Sequence, residues 1–140
     1  MAQSIGEVMT RDPLTVEAGA SVFDTAVAMA GSDIGPVIVE EADGSVHGIV
    51  TDRDIVVRAV AQGLDPTSTP VSTICSEELA ILSPKDSVEK AVELMKQRAV
   101  RRIPVVENRH VVGMVSLGDL AVDRDPHSAL GQVSSAPPNR

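Results

Sequence analysis

Apolar residues recur with the spacing of an amphipathic helix in two segments of the chain. Both segments place apolar side chains at positions i, i+4 and i+7, which form one buried face of a helix. Ser21 precedes the first segment as an N-cap, and Gly31 is its predicted end. Ser21 and its counterpart Ser87 are 66 residues apart, so the pattern predicts an internal repeat. The apolar positions are Val22, Ala26 and Met29 in the first copy and Val88, Val92 and Met95 in the second.

Short apolar runs around these helices predict the strands of each copy. A strand is expected before each helix, at 14–16 and 80–82, and two strands after it. A second helix closes each copy. The first of these is predicted from 54 to 62 with Gly63 as its end, and the second ends before Pro126. Each copy is therefore predicted to have the element order β-α-β-β-α, which places the fold in the α/β class. The later strands are expected at 36–39 and 49–50 in the first copy and at 102–106 and 114–115 in the second.

Each copy is short for a stable core of its own, so the two repeats are expected to pack about a pseudo-two-fold axis into one domain. The predicted organisation is a first repeat at 5–62, a linker at 63–70, a second repeat at 71–123 and an irregular C-terminal tail at 124–140. The tail prediction follows from its Pro, Ser and Gly residues.

Composition narrows the function. The chain has 20 acidic against 12 basic residues, a net charge of −8, which repels nucleic-acid backbones. It has one Phe and no Trp or Tyr, so the core must be aliphatic and aromatic platforms for bases are missing. Cys75 is the sole cysteine, which fits a reducing compartment. The N-terminus lacks a signal-peptide pattern, and no apolar stretch is long enough for a membrane helix. These features predict a cytoplasmic protein that binds neither nucleic acid nor membrane.

A polar segment follows the last strand of each copy. It is Thr51-Asp52-Arg53-Asp54 in the first and Ser116-Leu117-Gly118-Asp119 in the second. One interpretation is a capping box, with the hydroxyl and the acid satisfying backbone N–H groups at the helix start. Asp is shorter than the usual Glu, so we expect its carboxylate to stay free and point outward. The other interpretation is a ligand site, because a helix N-terminus favours anions and an outward carboxylate can accept hydrogen bonds from a vicinal diol.

Cations near this segment differ between the copies. Arg101 and Arg102 immediately precede a strand, at the same end of the sheet as the polar segment. The aligned residues of the first copy are Gly35 and Pro36, and Arg53 is the one obvious substitute there. Either the arginines belong to a solvated loop, or they hold the phosphates of a nucleotide. If both copies bind a ligand, they are expected to bind it differently.

These repeated elements, "GIVTDRDIV", "GMVSLGDLA" and "RRIPVV", resemble those of tandem CBS-domain proteins, named after the regulatory region of cystathionine β-synthase. The resemblance covers residues 5–123. It implies a CBS pair with two clefts, commonly assembled as a dimer, that binds adenosine compounds such as AMP, ADP, ATP or S-adenosylmethionine. No metal and no required cofactor are predicted.

The resemblance also implies roles for single residues. Asp119 and Asp54 match the acids that bind ribose, and Ser116 and Thr51 match the hydroxyls near ribose and phosphate. Arg101 and Arg102 match basic positions that hold phosphates. The base is held by backbone and apolar contacts, which implies Leu14, Thr15 and Val16 for one cleft and Ala80, Ile81 and Leu82 for the other. The cleft of Asp119 is expected to be the stronger site.

Residues 48–66 resemble small standalone bacterial CBS-pair proteins that carry no enzyme domain. We therefore predict a non-enzymatic regulatory protein that senses an adenosine nucleotide, as in energy sensing, and signals to an unknown partner by a conformational change. The alternative is a ligand-free dimeric scaffold that regulates a partner protein. Two apolar helix faces, at Val56-Ala59-Val60 and at Leu117-Leu120-Ala121, serve either a homodimer interface or the core.

Histidine and cysteine give little support for catalysis. His47, His110 and His127 lack partners at the spacing of metal ligands or of a catalytic triad, and His47 and His110 are predicted to be surface residues of equivalent turns. Cys75 aligns with Met9, an apolar position at a helix end, so a buried and unreactive thiol is expected.

Overall fold

The computed structural model describes residues 3–77 and 80–136. The chain divides into two compact units. The first unit contains residues 13–79 and 109–111, and the second contains residues 1–12, 80–108 and 112–140. The N-terminal segment thus joins the second unit, while residues 71–77 join the first. The repeat pattern in the sequence did not indicate this assignment of segments.

The first unit is built on a three-stranded sheet in the order β2-β3-β4. β2 (Thr15–Glu17) pairs in parallel with β3 (Val37–Glu40), which pairs antiparallel with β4 (Val46–Val50). Ser76 extends this sheet through an antiparallel bridge to Ile49. The helical segments of the unit are α2 (Val22–Ser32), α3 (Asp52–Asp54), a π-helix (Ile55–Val60) and a 3₁₀ turn (Val71–Thr73).

The second unit repeats this plan with the sheet order β1-β6-β5. β1 (Thr10–Arg11) pairs antiparallel with β6 (His110–Ser116), and Leu82 adds a parallel bridge to Val105 of β5 (Arg102–Glu107). Within the described residues Leu82 alone of the predicted strand 80–82 pairs with the sheet. The predicted β-α-β-β-α order is otherwise confirmed in both repeats. The helices are α1 (Ile5–Val8), α4 (Val88–Arg98), α5 (Leu117–Arg124) and α6 (Ala129–Ser135).

Each unit has its own aliphatic core, as the lack of aromatic residues predicts. Equivalent positions fill the two cores: Ile5 in the second unit corresponds to Val71 in the first, and both are fully buried. A buried aliphatic side chain contributes about 1.5–3 kcal/mol relative to an exposed one, so these clusters are the main source of stability. The principal core residues are Val22, Val37, Val39, Val50 and Val71 in the first unit and Ile5, Leu82, Val88, Ile103 and Val115 in the second.

Three predictions about helices are wrong. Gly31 does not end α2, because the helix continues to Ser32 and Asp33 forms the left-handed cap at φ 56°. Asp tolerates this conformation better than most residues. The helix predicted at 54–62 is instead a short α-helical turn followed by a π-helix that ends at Val60. Its three consecutive β-branched residues, Ile55-Val56-Val57, are those that crowd the preceding turn of an α-helix. The predicted end at Gly63 is therefore wrong as well: this glycine, with φ +70°, lies in the turn after the helix.

The third error concerns the C-terminal tail, which was predicted to be irregular but contains α6. Ser128 is its N-cap: the hydroxyl accepts a hydrogen bond from the N–H of Gly131 (2.9 Å) and donates one to the carbonyl of Asp125 (2.7 Å). Gly131 is needed for this close turn, since an added Cβ would lie 2.4 Å from the carbonyl oxygen of Asp125. The part of the prediction that falls on residues 137–140 lies outside the described residues.

The turn before α4 contains a titratable contact that gives a pH prediction. Asp86 accepts a hydrogen bond from the N–H of Ser83 (2.7 Å) and pairs with Lys90 (3.2 Å). The backbone hydrogen bond from Ser83 is the main reason that the pKa of Asp86 lies below its ordinary value. A lowered pKa means that the folded state favours the carboxylate, so the contribution is complete above the unfolded pKa of about 3.9 and is lost as pH falls through the folded pKa. We expect Asp86→Asn to destabilise the protein by about 1 kcal/mol at pH 7 and by less below pH ~4.

Urea unfolding followed by circular dichroism at both pH values measures this difference. Glu17→Gln, which changes an exposed carboxylate of β2, is the control and should alter stability little at either pH. An equal loss at both pH values for Asp86→Asn would show that its charge does not contribute.

Candidate ligand site at the start of helix α5

Both polar segments form complete capping boxes. In the second unit the Ser116 hydroxyl accepts from the N–H of Asp119 (3.1 Å), and Asp119 Oδ2 accepts from the N–H of Ser116 (2.9 Å). Thr51 and Asp54 form the same pair in the first unit, at 3.2 Å and 2.9 Å. The expectation that Asp is too short to reach back is therefore wrong. The extended backbone of the cap residue, with φ −114° and ψ 162° at Ser116, brings its N–H within reach.

The second carboxylate oxygen differs between the two boxes. Asp54 Oδ1 lies 3.8 Å from Nε of Arg58, one helical turn later. Asp119 Oδ1 has no hydrogen-bond partner within the described ranges of the chain. The expected outward acceptor is thus restricted to one oxygen, and it is more available in the second unit.

The second unit's own residues that are predicted to bind ribose and phosphate line one cavity. This cavity has a volume of about 370 Å³. The carbonyl of Arg101 accepts a hydrogen bond from the N–H of Leu117 (2.8 Å), which ties the arginine pair to the first turn of α5. Two cations, a helix N-terminus and a carboxylate therefore surround one space. The lining residues are Arg101, Arg102, Ser116, Leu117, Gly118, Asp119, Leu130 and Ser134.

Helix α6 supplies part of the wall of this cavity. Leu130 and Ser134 line it, and α6 packs so closely on α5 that a Cβ at Gly118 would lie 2.7 Å from the Ser134 hydroxyl oxygen. Sequence analysis missed these residues. The signal that could have found them is Ser128, a good N-cap residue, directly before the apolar residues Ala129 and Leu130.

The first unit has a different charge at the corresponding place. Gly35, which aligns with Arg101, lies against the side chain of Asp52, where an added Cβ would be 3.0 Å from Oδ1. Arg53, the predicted substitute cation, is exposed, and its N–H is bonded to the same Asp52 carboxylate (3.0 Å). The cation beside Asp54 is instead Arg58. An acidic group thus stands where the second unit has its arginine pair.

Most of the residues predicted to hold the base are buried in, or packed against, the core of their unit. Leu82 is 1 % exposed, and its N–H and C=O are both bonded to β5. Ala80 is buried as well, while Leu14 and Val16 pack against the core of the first unit. Ile81 (49 % exposed) and Thr15 keep their side chains at the surface. The side chain of Leu82 is therefore a core element, and a base-binding role for the remaining residues stays a prediction.

The two apolar helix faces divide between core and surface. Ala59 and Leu120 are buried in their units, whereas Val56 (58 %) and Val60 (65 %) are exposed. Part of each face is thus core, as one of the two interpretations predicted, and the valines remain available to a partner.

The predictions for Cys75 and His47 have different outcomes. Cys75 is buried, as expected, and burial is the main reason that the pKa of its thiol lies above its ordinary value. His47 is not a surface turn residue: it lies in β4 with a side chain that is 22 % exposed. The bridge between Ile49 and Ser76 brings it close to Cys75 and Glu77, although these residues are not at the sequence spacing of metal ligands. Spacing along the chain could not reveal this cluster.

The CBS domain family matches residues 5–60 and 71–122, so this chain belongs to the CBS-domain proteins. It is 39 % identical over 128 residues to the CBS domain-containing protein YhcV of Bacillus subtilis, covering 91 % of this chain and 90 % of that protein. Among solved structures it resembles Hypoxic Response Protein I, crystallised with two coordinated zinc ions (TM-score 0.77, 28 % identity, covering 84 % of this chain and 96 % of the other). A CBS-domain protein of Burkholderia ambifaria assigned to signal transduction is similarly close (TM-score 0.77, 26 % identity, 89 % and 96 % coverage).

The tandem arrangement defines a CBS pair, a module of the regulatory and signal-transduction type. Within residues 3–77 and 80–136, no helix has the length and apolar character needed to cross a membrane.

Proposed function

We propose that this CBS pair is a regulatory sensor that binds an adenosine nucleotide in the cavity at the start of α5. The observation that carries the proposal is the meeting of Arg101, Arg102, Ser116 and Asp119 around one space of about 370 Å³. That volume falls within the range of roughly 300–1,000 Å³ typical of small-molecule sites. The ligand would be AMP, ADP or ATP, and less favourably S-adenosylmethionine, which lacks phosphate for the arginines.

Each group has a chemical role in this proposal. Asp119 Oδ1 accepts a hydrogen bond from a ribose hydroxyl, while Oδ2 keeps the capping box in place. The guanidinium groups of Arg101 and Arg102 bind phosphate oxygens, which they match in geometry as well as charge. The dipole of α5, whose positive end faces the cavity, adds to the attraction. Local charge thus favours an anion although the chain carries a net charge of −8.

In this function the protein regulates a partner protein and catalyses no reaction. CBS pairs are generally regulatory modules. A ligand that contacts α5 and the arginine pair stabilises the arrangement of these elements in which all the contacts form. A partner protein that binds this arrangement more tightly than the others would respond to the nucleotide concentration.

Calorimetric unfolding with AMP, ADP, ATP, S-adenosylmethionine and adenosine in turn, in the presence of a metal chelator, tests the proposal. Calorimetry is preferred since the chain has no Trp or Tyr for fluorescence. A nucleotide at one hundred times its Kd is expected to add about 2.7 kcal/mol of stability, which raises Tm by several degrees. The double variant Arg101→Ala/Arg102→Ala should lose the gain from phosphates while its weak response to adenosine is unchanged.

The second candidate function is a ligand-free dimeric scaffold. The exposed side chains of Val56 and Val60 favour it, because they place apolar surface on the π-helix of the first unit where a second copy or another protein could cover it. The same calorimetric experiment separates the candidates. If no nucleotide raises Tm, nucleotide sensing is refuted and the scaffold accounts better for the fold.

A further inference from the structure

Three side chains of different chemistry converge in the first unit, away from the cavity at α5. They are His47 on β4, Cys75 just after the 3₁₀ turn, and Glu77. A ring nitrogen of His47, the Cys75 sulfur and a carboxylate oxygen of Glu77 all lie within 4.8 Å of one another. One nitrogen, one sulfur and one oxygen within this distance can reach a single ion placed among them at metal–ligand bond lengths of about 2.0–2.3 Å.

The backbone fixes this convergence. Ile49 and Ser76 exchange two backbone hydrogen bonds (3.0 and 2.9 Å), which hold residues 75–77 alongside β4. Gly48 permits the close approach, since a Cβ there would lie 2.9 Å from the Cys75 sulfur and 2.5 Å from the carbonyl oxygen of Ser76. The cluster therefore sits on sheet residues and not on a free loop.

His47 is oriented as a ligand. Its Nδ1 is hydrogen-bonded to the Glu41 carboxylate, an arrangement that in metalloproteins fixes the tautomer and points Nε2 at the ion. Nε2 is buried. Glu77 Oε1 lies 2.8 Å from this nitrogen. Nε2 therefore faces the carboxylate that would share the ion with it.

We propose that His47, Cys75 and Glu77 form a binding site for a divalent transition-metal ion, most favourably Zn²⁺, with Glu41 as the outer carboxylate that positions His47. Mixed nitrogen, sulfur and oxygen donors suit a borderline-soft ion, whereas Mg²⁺ and Ca²⁺ require oxygen ligands. Three protein ligands leave a fourth position of a tetrahedral ion for water or an anion.

The second unit provides an internal comparison. The residues aligned with His47, Cys75 and Glu77 are Val112, Met9 and Arg11, and there a Cβ at Gly113 would lie 2.6 Å from the Met9 sulfur. The same backbone arrangement thus forms with apolar and basic side chains. The fold does not need His, Cys and Glu at these positions, so their convergence requires another explanation.

An entry path and an open position are present. Cys75 and Glu77 line a cavity of about 590 Å³ in the first unit, together with Arg58, Ser72, Thr73 and Ser76. An ion can reach the cluster from this cavity, and Arg58 in the same lining provides a positive charge that attracts an anion. The buried Cys75 thiol gives up its proton when the ion binds, because the ion stabilises the thiolate.

Metal titration of the full-length protein, stripped with chelator and free of nucleotide, tests the proposal. One Zn²⁺ per chain is expected, with an increase in Tm of several degrees at saturation. Co²⁺ in place of Zn²⁺ should give a thiolate-to-metal charge-transfer band, which reports sulfur ligation directly and needs no variant.

Matched variants locate the site. Cys75→Ser is nearly isosteric and should abolish the charge-transfer band and weaken Zn²⁺ binding by more than the roughly 10- to 100-fold expected for Glu41→Gln. His110→Gln, outside the cluster, should leave both unchanged. The alternative is a protonated His47 held between Glu41 and Glu77 without metal. Absence of stoichiometric binding would favour that alternative and overturn the proposal. Binding that is unaffected in Cys75→Ser would also overturn it, because the ion would then be bound elsewhere, and neither outcome bears on the nucleotide site.

Discussion

Replacing Asp119 by alanine is expected to weaken nucleotide binding by about 10- to 100-fold and to leave the second unit folded. The variant loses the hydrogen bond that Asp119 Oδ1 accepts from a ribose hydroxyl, and a hydrogen bond to a charged group contributes about 1.5–3 kcal/mol. The stability cost is smaller. Loss of the bond from Asp119 Oδ2 to the N–H of Ser116 opens one half of the capping box, which costs about 1 kcal/mol. Isothermal titration with the best nucleotide and urea unfolding measure the two effects.

Asp54→Ala is the matched control. Asp54 forms the same capping box with Thr51, so its replacement has a similar local cost, to which the loss of the exposed ion pair with Arg58 adds little. Its unit, however, has Asp52 against Gly35 where the second unit has Arg101, and phosphate is disfavoured there. We expect Asp54→Ala to match Asp119→Ala in stability and the wild type in nucleotide affinity. Equal affinities for all three proteins would make both aspartates helix caps only.

The strands, helices and capping boxes could be predicted because they depend on local pattern. Apolar spacing gave α2 and α4, and a hydroxyl three residues before an acid gave both capping boxes. The outward carboxylate was predicted less well, because the pattern does not show how the extended backbone of Ser116 brings its N–H to Asp119. The sequence shows the charge difference between the units as Arg101 in one and Gly35 in the other. It does not show that the side chain of Asp52 lies against Gly35.

The remaining features depend on pairing between distant segments. His47 and Cys75 are brought together by the bridge between Ile49 and Ser76, and nothing in their spacing indicates it. The assignment of residues 1–12 to the second unit is of the same kind. Helix α6 was missed for another reason: its Gly and Ser residues suggested irregular structure, whereas Ser128 and Gly131 act as its cap and its tight turn.

Removing residues 126–140 is expected to strengthen nucleotide binding by about 10-fold. Leu130 and Ser134 of α6 occupy one side of the cavity that contains the arginine pair. If a nucleotide fits only when α6 has moved away, the measured Kd is the intrinsic value divided by the fraction of molecules in that open state. A cost of about 1.4 kcal/mol for opening makes this fraction about one tenth. Residues up to Leu120 form the core of the second unit, so we expect the truncated protein to fold.

Ser128→Ala provides a milder form of the same change. It removes the N-cap of α6, worth about 1 kcal/mol, and keeps every residue of the wall in the chain. Its nucleotide affinity should lie between those of the wild type and the truncated protein, as isothermal titration can measure. If truncation weakens binding instead, α6 is a part of the site that contacts the nucleotide, and Leu130→Ala should then weaken binding in the full-length protein. The sign of the change thus decides whether α6 restricts access to the nucleotide site or completes it.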